Sequence, residues 1–72
     1  MTEPVDLRKV SIFERHNVLF DQIMKLKAGE SFIFINDHEP RPLYPELAKR
    51  GFQYQTKKEA EDKWVVTVKK GK

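Results

Sequence analysis

The chain has 72 residues, which is short enough for only one hydrophobic core, so we expect one domain over residues 1–72. It contains no cysteine, which excludes disulfide bonds, a thiolate nucleophile and a cysteine-ligated zinc site. A formal net charge of +3 with 39% hydrophobic residues is typical of a folded domain with a solvated surface. No apolar run is long enough to span a bilayer and the N-terminus does not resemble a signal peptide, so we expect a cytoplasmic protein without membrane contact.

The first half of the chain predicts a strand, a helix and a second strand. Residues 5–10 alternate apolar and polar side chains, as a strand does. Residues 11–14 have the spacing of a capping box, and apolar residues then recur at helical intervals to a helix end near Lys27. The helix begins either at Ser11 or, if residues 11–15 form a separate turn, at His16 or Asn17. The continuous apolar run at 31–35 predicts a strand that is buried on both faces or lies at the sheet centre.

The second half predicts a short helix followed by a hairpin. Proline is tolerated only in the first turn of a helix, so Pro45 restricts the second helix to residues 43–50. Residues 52–56 and 64–68 alternate as strands do, and the charged stretch between them is predicted to be the hairpin loop. The predicted fold is an α/β two-layer sandwich of order β-α-β-α-β-β, in which a mixed four-stranded sheet carries both helices on one face and the first two strands are parallel.

Polar side chains follow the first two predicted strands. Because those strands are parallel, the segments 11–17 and 36–42 should meet at one edge of the sheet, where ligands of open α/β sheets bind. We call this set of polar residues the rim. The rim consists of Glu14, Arg15, His16, Asp37, His38, Glu39 and Arg41.

Each feature also has a purely structural interpretation. Asp37 and His38 suit a turn or a helix cap, His16 a helix surface, and arginines most often form surface ion pairs. The lysines of the last third alternate with acidic residues, which indicates a solvated C-terminus more than a nucleic-acid surface. The aromatic residues are expected in the core. They are Phe13, Phe20, Phe32, Phe34, Phe52, Tyr54 and Trp64.

The string Asn-Asp-His-Glu-Pro-Arg-Pro-Leu at 36–43, with Asp-Leu-Arg at 6–8 and Glu-Arg-His at 14–16, resembles the bacterial and archaeal domain of unknown function 2249 family. This resemblance implies the fold of the TusA and SirA sulfur carriers. Those carriers hold persulfide on a cysteine at the start of helix one, where this chain has Ile12, so persulfide transfer is excluded. Relatives that occur beside hemerythrin-like and other redox modules imply a partner domain of that kind and a role near metal or redox chemistry.

Two hypotheses follow, and both describe a non-catalytic module. In the first, His16 and His38, with a carboxylate such as Asp37 or Glu39, bind a divalent transition metal or a metal cofactor. Two imidazoles are an incomplete ligand set, so a carboxylate, water or a partner chain must complete it.

In the second hypothesis, Arg8, Arg15, Arg41 and the helix N-termini bind phosphate or another anion of a nucleic acid or a protein. This hypothesis has less support, because no strand carries the basic and aromatic pattern of an RNA-binding module. Enzyme activity is the least favoured function, since there is no cysteine and neither Ser11 nor Ser31 has a histidine at a suggestive spacing.

Overall fold

The computed structural model describes residues 4–71, and within them the predicted element order is confirmed. The four strands form one mixed sheet of order β1-β2-β4-β3, in which β1 and β2 are parallel and the other neighbours are antiparallel. No helix in the described range is long and apolar enough to cross a membrane. The elements are β1 (Val5–Asp6), a 3-10 turn (Leu7–Lys9), α1 (Ile12–Ile23), β2 (Ser31–Asn36), α2 (Leu43–Lys49), β3 (Phe52–Ala60) and β4 (Lys63–Lys70).

The core lies between one face of the sheet and both helices. Each helix contributes two buried residues four positions apart, a spacing that puts them on one helical face. Alternate residues of β2 and β4 meet them from the sheet, with Phe34 opposite Val66 and Phe32 opposite Val68. The core is composed of Leu7, Leu19, Ile23, Phe32, Phe34, Leu43, Leu47, Phe52, Val66 and Val68. β2 lies in the sheet interior, as predicted, but the helices cover only one of its faces.

The first strand and the first helix are shorter than predicted. The carboxylate of Asp6 accepts a hydrogen bond from the backbone N–H of Arg8 at 3.0 Å, which turns the chain out of β1 after two residues. α1 begins at Ile12, and Ser11 makes no side-chain capping bond, so the predicted capping box is wrong. α1 ends at Ile23 and not near Lys27, because the residues before Gly29 already form turns.

The hairpin is longer than predicted, and its charged stretch is strand. β3 continues to Ala60 and only two residues form the turn, so the charged loop is a wrong prediction. β3 is an edge strand, where charged side chains remain in solvent and discourage pairing with other chains. The ammonium group of Lys58 also lies 5.3 Å from the ring centre of Trp64, which is half-buried.

The prediction that the aromatic residues belong to the core holds only in part. Phe32, Phe34 and Phe52 are buried, but Phe13 is 92% exposed on the first turn of α1. Tyr54 is 40% exposed, and its ring stacks on Tyr44 with the ring centres 4.4 Å apart. Placing Phe13 in the core was therefore wrong, since only the later turns of α1 contact the sheet through buried residues.

Candidate functional site

A pocket of about 300 Å³ opens where β2 ends, between the first halves of α1 and α2. Its walls are mostly apolar, and a few polar groups converge on it, as is typical of small-molecule sites. The apolar walls are Leu7, Leu19, Phe34, Pro40, Pro42 and Leu43. The polar groups are Arg15, His16, Asn36, His38 and Glu46.

Arg15 holds this end of the molecule together. Its Nε donates to the carbonyl oxygen of Val10 at 3.0 Å, and its Nη1 donates to Asn36 Oδ1 at 3.0 Å and Asp37 Oδ1 at 3.1 Å. The side chain is only 13% exposed. It therefore ties the chain before α1 to the end of β2, and these bonds fix the position of the pocket's polar wall.

Asn36 is the buried polar residue of this wall, at 6% exposure. Its Oδ1 accepts from Arg15 and also from the backbone N–H of Asp37 at 3.0 Å. Because both of these partners are donors, the oxygen of the amide must face them, and the NH₂ group points the other way. The NH₂ group has no hydrogen-bond acceptor among residues 4–71. Every fully buried polar side-chain atom of those residues does have a partner, so the NH₂ group is not fully buried. Solvent therefore reaches the NH₂ group, and Asn36 is one of the residues that line the pocket.

His38 and Asp37 form a hydrogen-bonded pair at the pocket mouth. The distance from His38 Nδ1 to Asp37 Oδ1 is 2.7 Å, and Arg15 binds the same oxygen. The bond from His38 and the bond from Arg15 both lower the pKa of Asp37 below its ordinary value. An ionised carboxylate accepts only, so neutral His38 carries its proton on Nδ1 and leaves a lone pair on Nε2.

His16 stands on the opposite wall, on α1. Its Nε2 lies 3.6 Å from Glu46 Oε2 on α2, and its ring lies 4.4 Å from the ring of Phe20. The contact with Glu46 joins α1 to α2, whereas Phe20 lies one turn later on α1 itself. Since His16 and His38 line the same pocket, the parallel arrangement of β1 and β2 brings the two imidazoles to one site.

Glu39 and Arg41 form a second network outside the pocket lining. Arg41 Nε donates to Glu39 Oε1 at 2.8 Å, and this bond lowers the pKa of Glu39. The hydroxyl of Tyr44 donates to Glu39 Oε2 at 3.2 Å and is also hydrogen-bonded to Thr56 on β3. Burial raises the pKa of Tyr44, so its hydroxyl stays protonated. This network fastens the proline-rich loop to the sheet.

Arg8 is likewise held within the chain. Its Nε and Nη2 donate to the two carboxylate oxygens of Asp6, each at 2.9 Å, in a bidentate pair. The side-chain hydrogen bond lowers the pKa of Asp6 to about 2. Neither residue lines the pocket.

The rim residues thus fall into three groups according to their place relative to the pocket. Arg15, His16 and His38 line the pocket, and Asp37 stands behind two of them. The other rim residues lie outside the lining. They are Glu14, Glu39 and Arg41. In the described part of the chain, no three or more side chains of His, Asp or Glu are grouped so as to hold a metal ion.

Two polar residues of the pocket were not among the predicted site residues. Asn36 ends an apolar strand two positions after Phe34, and this alternation is the signal that its side chain faces inward. Glu46 carries no such signal, because its position opposite His16 depends on how the two helices pack.

A family model described as "Uncharacterized conserved protein (DUF2249)" matches residues 4–70, which include the whole pocket lining. The chain belongs to this family. No curated protein and no solved structure matches the chain. Family membership agrees with the resemblance in the sequence, and the pocket gives this DUF2249 chain a located candidate site.

Proposed function

We propose that this DUF2249 domain is a non-catalytic binding module whose pocket takes a small ligand with an apolar body and a hydrogen-bond acceptor at one end. The observation that carries this proposal is the amide of Asn36, whose NH₂ group has no acceptor in the described chain although the residue is 6% exposed. Protein groups in this situation lose free energy unless a ligand or water completes their hydrogen bonds. A carbonyl or carboxylate oxygen of a ligand would do so.

The rest of the pocket supports the same ligand. Its volume of about 300 Å³ lies at the small end of the range of ligand sites, and its apolar walls suit a compact hydrocarbon body. His38 adds an Nε2 lone pair that Asp37 orients, which can accept a proton from a donor group of the ligand. Pocket shape and two polar groups would together set the ligand's orientation.

A metal ion could be part of that ligand. A carboxylate bound to one imidazole nitrogen is the usual support for a histidine that binds a metal through its other nitrogen, and Asp37 and His38 have this arrangement. The chain supplies His38 and His16 only, so we propose that the remaining ligands come with a metal cofactor or from a partner chain. A redox partner domain of the kind implied by the family resemblance would supply such a cofactor.

Anion binding by the arginines has less support from the contacts. Arg8 and Arg41 are paired with carboxylates of the chain, and Arg15 is paired with Asp37 and also bonded to Asn36. A phosphate group would have to displace a carboxylate in each case. The loss of the existing ion pair would offset much of the free energy gained by binding the phosphate. We therefore propose that Arg15 positions the pocket and that the ligand's acceptor is bound by Asn36.

The ligand proposal can be tested with two probes of similar shape. Benzamide has an acceptor oxygen and isopropylbenzene has none, so nitrogen-proton correlation spectra should show benzamide moving the side-chain amide signals of Asn36. Isopropylbenzene should shift the signals of the residues that form the apolar walls and leave the signals of the Asn36 amide unchanged. Equal responses to both probes, or no response in the pocket at all, would contradict the proposal.

The metal proposal needs a separate measurement. Calorimetric titration with zinc, copper and nickel should show weak binding to the parent protein and weaker binding to His16→Ala and to His38→Ala. Binding requires neutral imidazole, so it should also weaken between about pH 7.5 and about pH 5.5. Lys49→Ala, on the exposed side of α2, is the control and should behave as the parent does. Unchanged titration of both histidine variants would exclude the histidine site.

A further inference from the structure

The sheet has an apolar patch on the face that carries no helix. Residues of β2 and β4 that point away from the core are paired across the strands, Ile33 with Thr67 and Ile35 with Val65. All four are half-buried, whereas the inward-facing Phe32, Phe34, Val66 and Val68 of the same strands are fully buried. We call these four residues the open-face patch.

The composition of β2 makes the patch unusual for an exposed face. A sheet with one solvated face normally alternates apolar and polar residues, but β2 is apolar at both inward and outward positions from Phe32 to Ile35. Continuous apolar strands are typical of sheets that are covered on both faces. Nothing in residues 4–71 covers the second face of β2, so the sequence indicates an occupant from outside this part of the chain.

Lysine residues stand at the β3 and β4 margins of the patch, whereas on the β1 side Asp6, paired with Arg8, lies beside Ile35. Lys57 stands beside Val65 on the β3 side, and Lys69 follows Thr67 along β4. Lys63 stands at the other end of β4, where Glu59 pairs with it at 3.3 Å. Lys57 and Lys69 have no carboxylate partner among the described residues. The face therefore has an apolar centre with positive charge at its β3 and β4 margins.

We infer that the open-face patch docks an amphipathic helix of a partner protein whose apolar stripe is flanked by Asp and Glu. Helices on both faces of a sheet are a common layered arrangement, and the other face of this sheet already packs two amphipathic helices. The apolar stripe would cover Ile33, Ile35 and Val65, while the carboxylates would meet Lys57 and Lys69. Charge complementarity of this kind steers association and sets orientation.

The same features disfavour two other occupants. A second copy of the chain would bring one lysine margin against another, and like charges at an interface are costly. Nucleic acid would find positive charge but no stacking surface, because none of the paired residues of β2, β3 and β4 on this face is aromatic and single-strand binding relies on stacking against aromatic rings. The helix-covered face holds the aromatic residues of β2, β3 and β4 instead.

Two synthetic helical peptides test this inference. One carries a leucine stripe flanked by glutamate and the other the same stripe flanked by lysine. Fluorescence anisotropy should show the acidic peptide binding more tightly, with affinity that falls as salt is added. The double variant Lys57→Glu with Lys69→Glu should bind it roughly tenfold more weakly or worse, and Ile35→Thr should also weaken binding while keeping a branched side chain. Lys49→Glu makes one such Lys→Glu exchange on α2, away from the patch, and this variant should bind as the parent does.

Several outcomes would overturn the inference. They are equal affinity for the two peptides, equal weakening by Lys49→Glu, and binding of a single-stranded oligonucleotide that the double lysine variant abolishes. Self-association of the peptide-free chain that Ile35→Thr abolishes, measured by sedimentation, would also overturn it, because it would make a second copy the occupant. The pocket is not involved in any of these measurements, so they are independent of the proposed function.

Discussion

The pocket end of the domain and the β3–β4 hairpin are stabilised in different ways. At the pocket end, one guanidinium group connects three separate chain segments through directional bonds from Arg15. The hairpin is held by a long antiparallel ladder and by alternate side chains such as Val66 and Val68 that enter the core. Burial tolerates small displacements, whereas directional bonds place individual atoms. The comparison teaches that substitutions at the pocket end should change the geometry of the pocket and its ligand binding, whereas substitutions of core side chains away from the pocket should change stability and leave the pocket intact.

The largest effect is expected in the core away from the pocket. Phe32 is fully buried on β2 and does not line the pocket, so Phe32→Ala should lower the free energy of unfolding by about 3–5 kcal/mol. Urea denaturation measures this loss. Since total stability of a chain this size is small, Phe32→Leu is the companion variant, and it should cost about 1 kcal/mol. A loss of less than about 1 kcal/mol in the free energy of unfolding of Phe32→Ala would contradict the assigned core.

The next largest effect on stability is expected at Arg15. Two substitutions there distinguish the contribution of the guanidinium geometry from that of the positive charge. Arg15→Ala removes three hydrogen bonds from a mostly buried side chain and should cost about 1.5–3 kcal/mol. Arg15→Lys should recover little of that loss, because an ammonium group cannot reproduce the planar set of guanidinium donors. Thermal unfolding compares the two variants. Full recovery by lysine would mean that the charge alone stabilises the pocket end.

The pair of Asp6 and Arg8 predicts a pH effect on stability. The pKa of Asp6 is about 2 in the folded chain, against an ordinary value of 3.8, because Arg8 binds the carboxylate. A lowered pKa means that the pair stabilises the fold above pH 3.8 and that this contribution disappears as the pH falls from 3.8 through about 2. Denaturation midpoints across that range should fall less steeply for Asp6→Asn. If the denaturation midpoints of the parent and of Asp6→Asn fell equally steeply with pH, the pair of Asp6 and Arg8 would not be the cause of the pH effect.

The smallest effect is expected at Phe13. Its side chain is 92% exposed, so Phe13→Ser should change the free energy of unfolding by no more than about 0.5 kcal/mol. Urea denaturation is again the measurement, with Phe32→Ala as the contrasting variant. A large loss of stability would show that Phe13 is covered in solution, and the division between core and surface would need revision.

The sequence predicted the architecture well because the architecture depends on periodicity. The alternation of 64–68 and the continuous run at 31–35 identified strands that the structure contains, and two parallel strands implied a shared edge. Element ends were predicted less well. The turn after Asp6 depends on one side-chain bond, and the end of α1 depends on where packing against the sheet stops.

The site was predicted in outline only. Topology brought Arg15, His16 and His38 toward one edge, and the structure places all three on the pocket. Glu39 and Arg41 were grouped with them by sequence position, but their contacts with each other and with Tyr44 direct them away from the pocket. Such choices among neighbouring residues of a loop follow from short-range hydrogen bonds, which leave no periodic pattern in the sequence.

The most direct measurement of the central claim uses Asn36→Asp with benzamide as the probe. This substitution keeps an oxygen for Arg15 and for the N–H of Asp37 but replaces the NH₂ donor of this pocket-lining residue with an acceptor. Titration followed by nitrogen-proton correlation spectra should show that benzamide binding is lost while the spectrum of the rest of the chain stays that of the parent. Binding of benzamide to Asn36→Asp with the affinity of the parent would contradict the assignment of Asn36 as the ligand's donor.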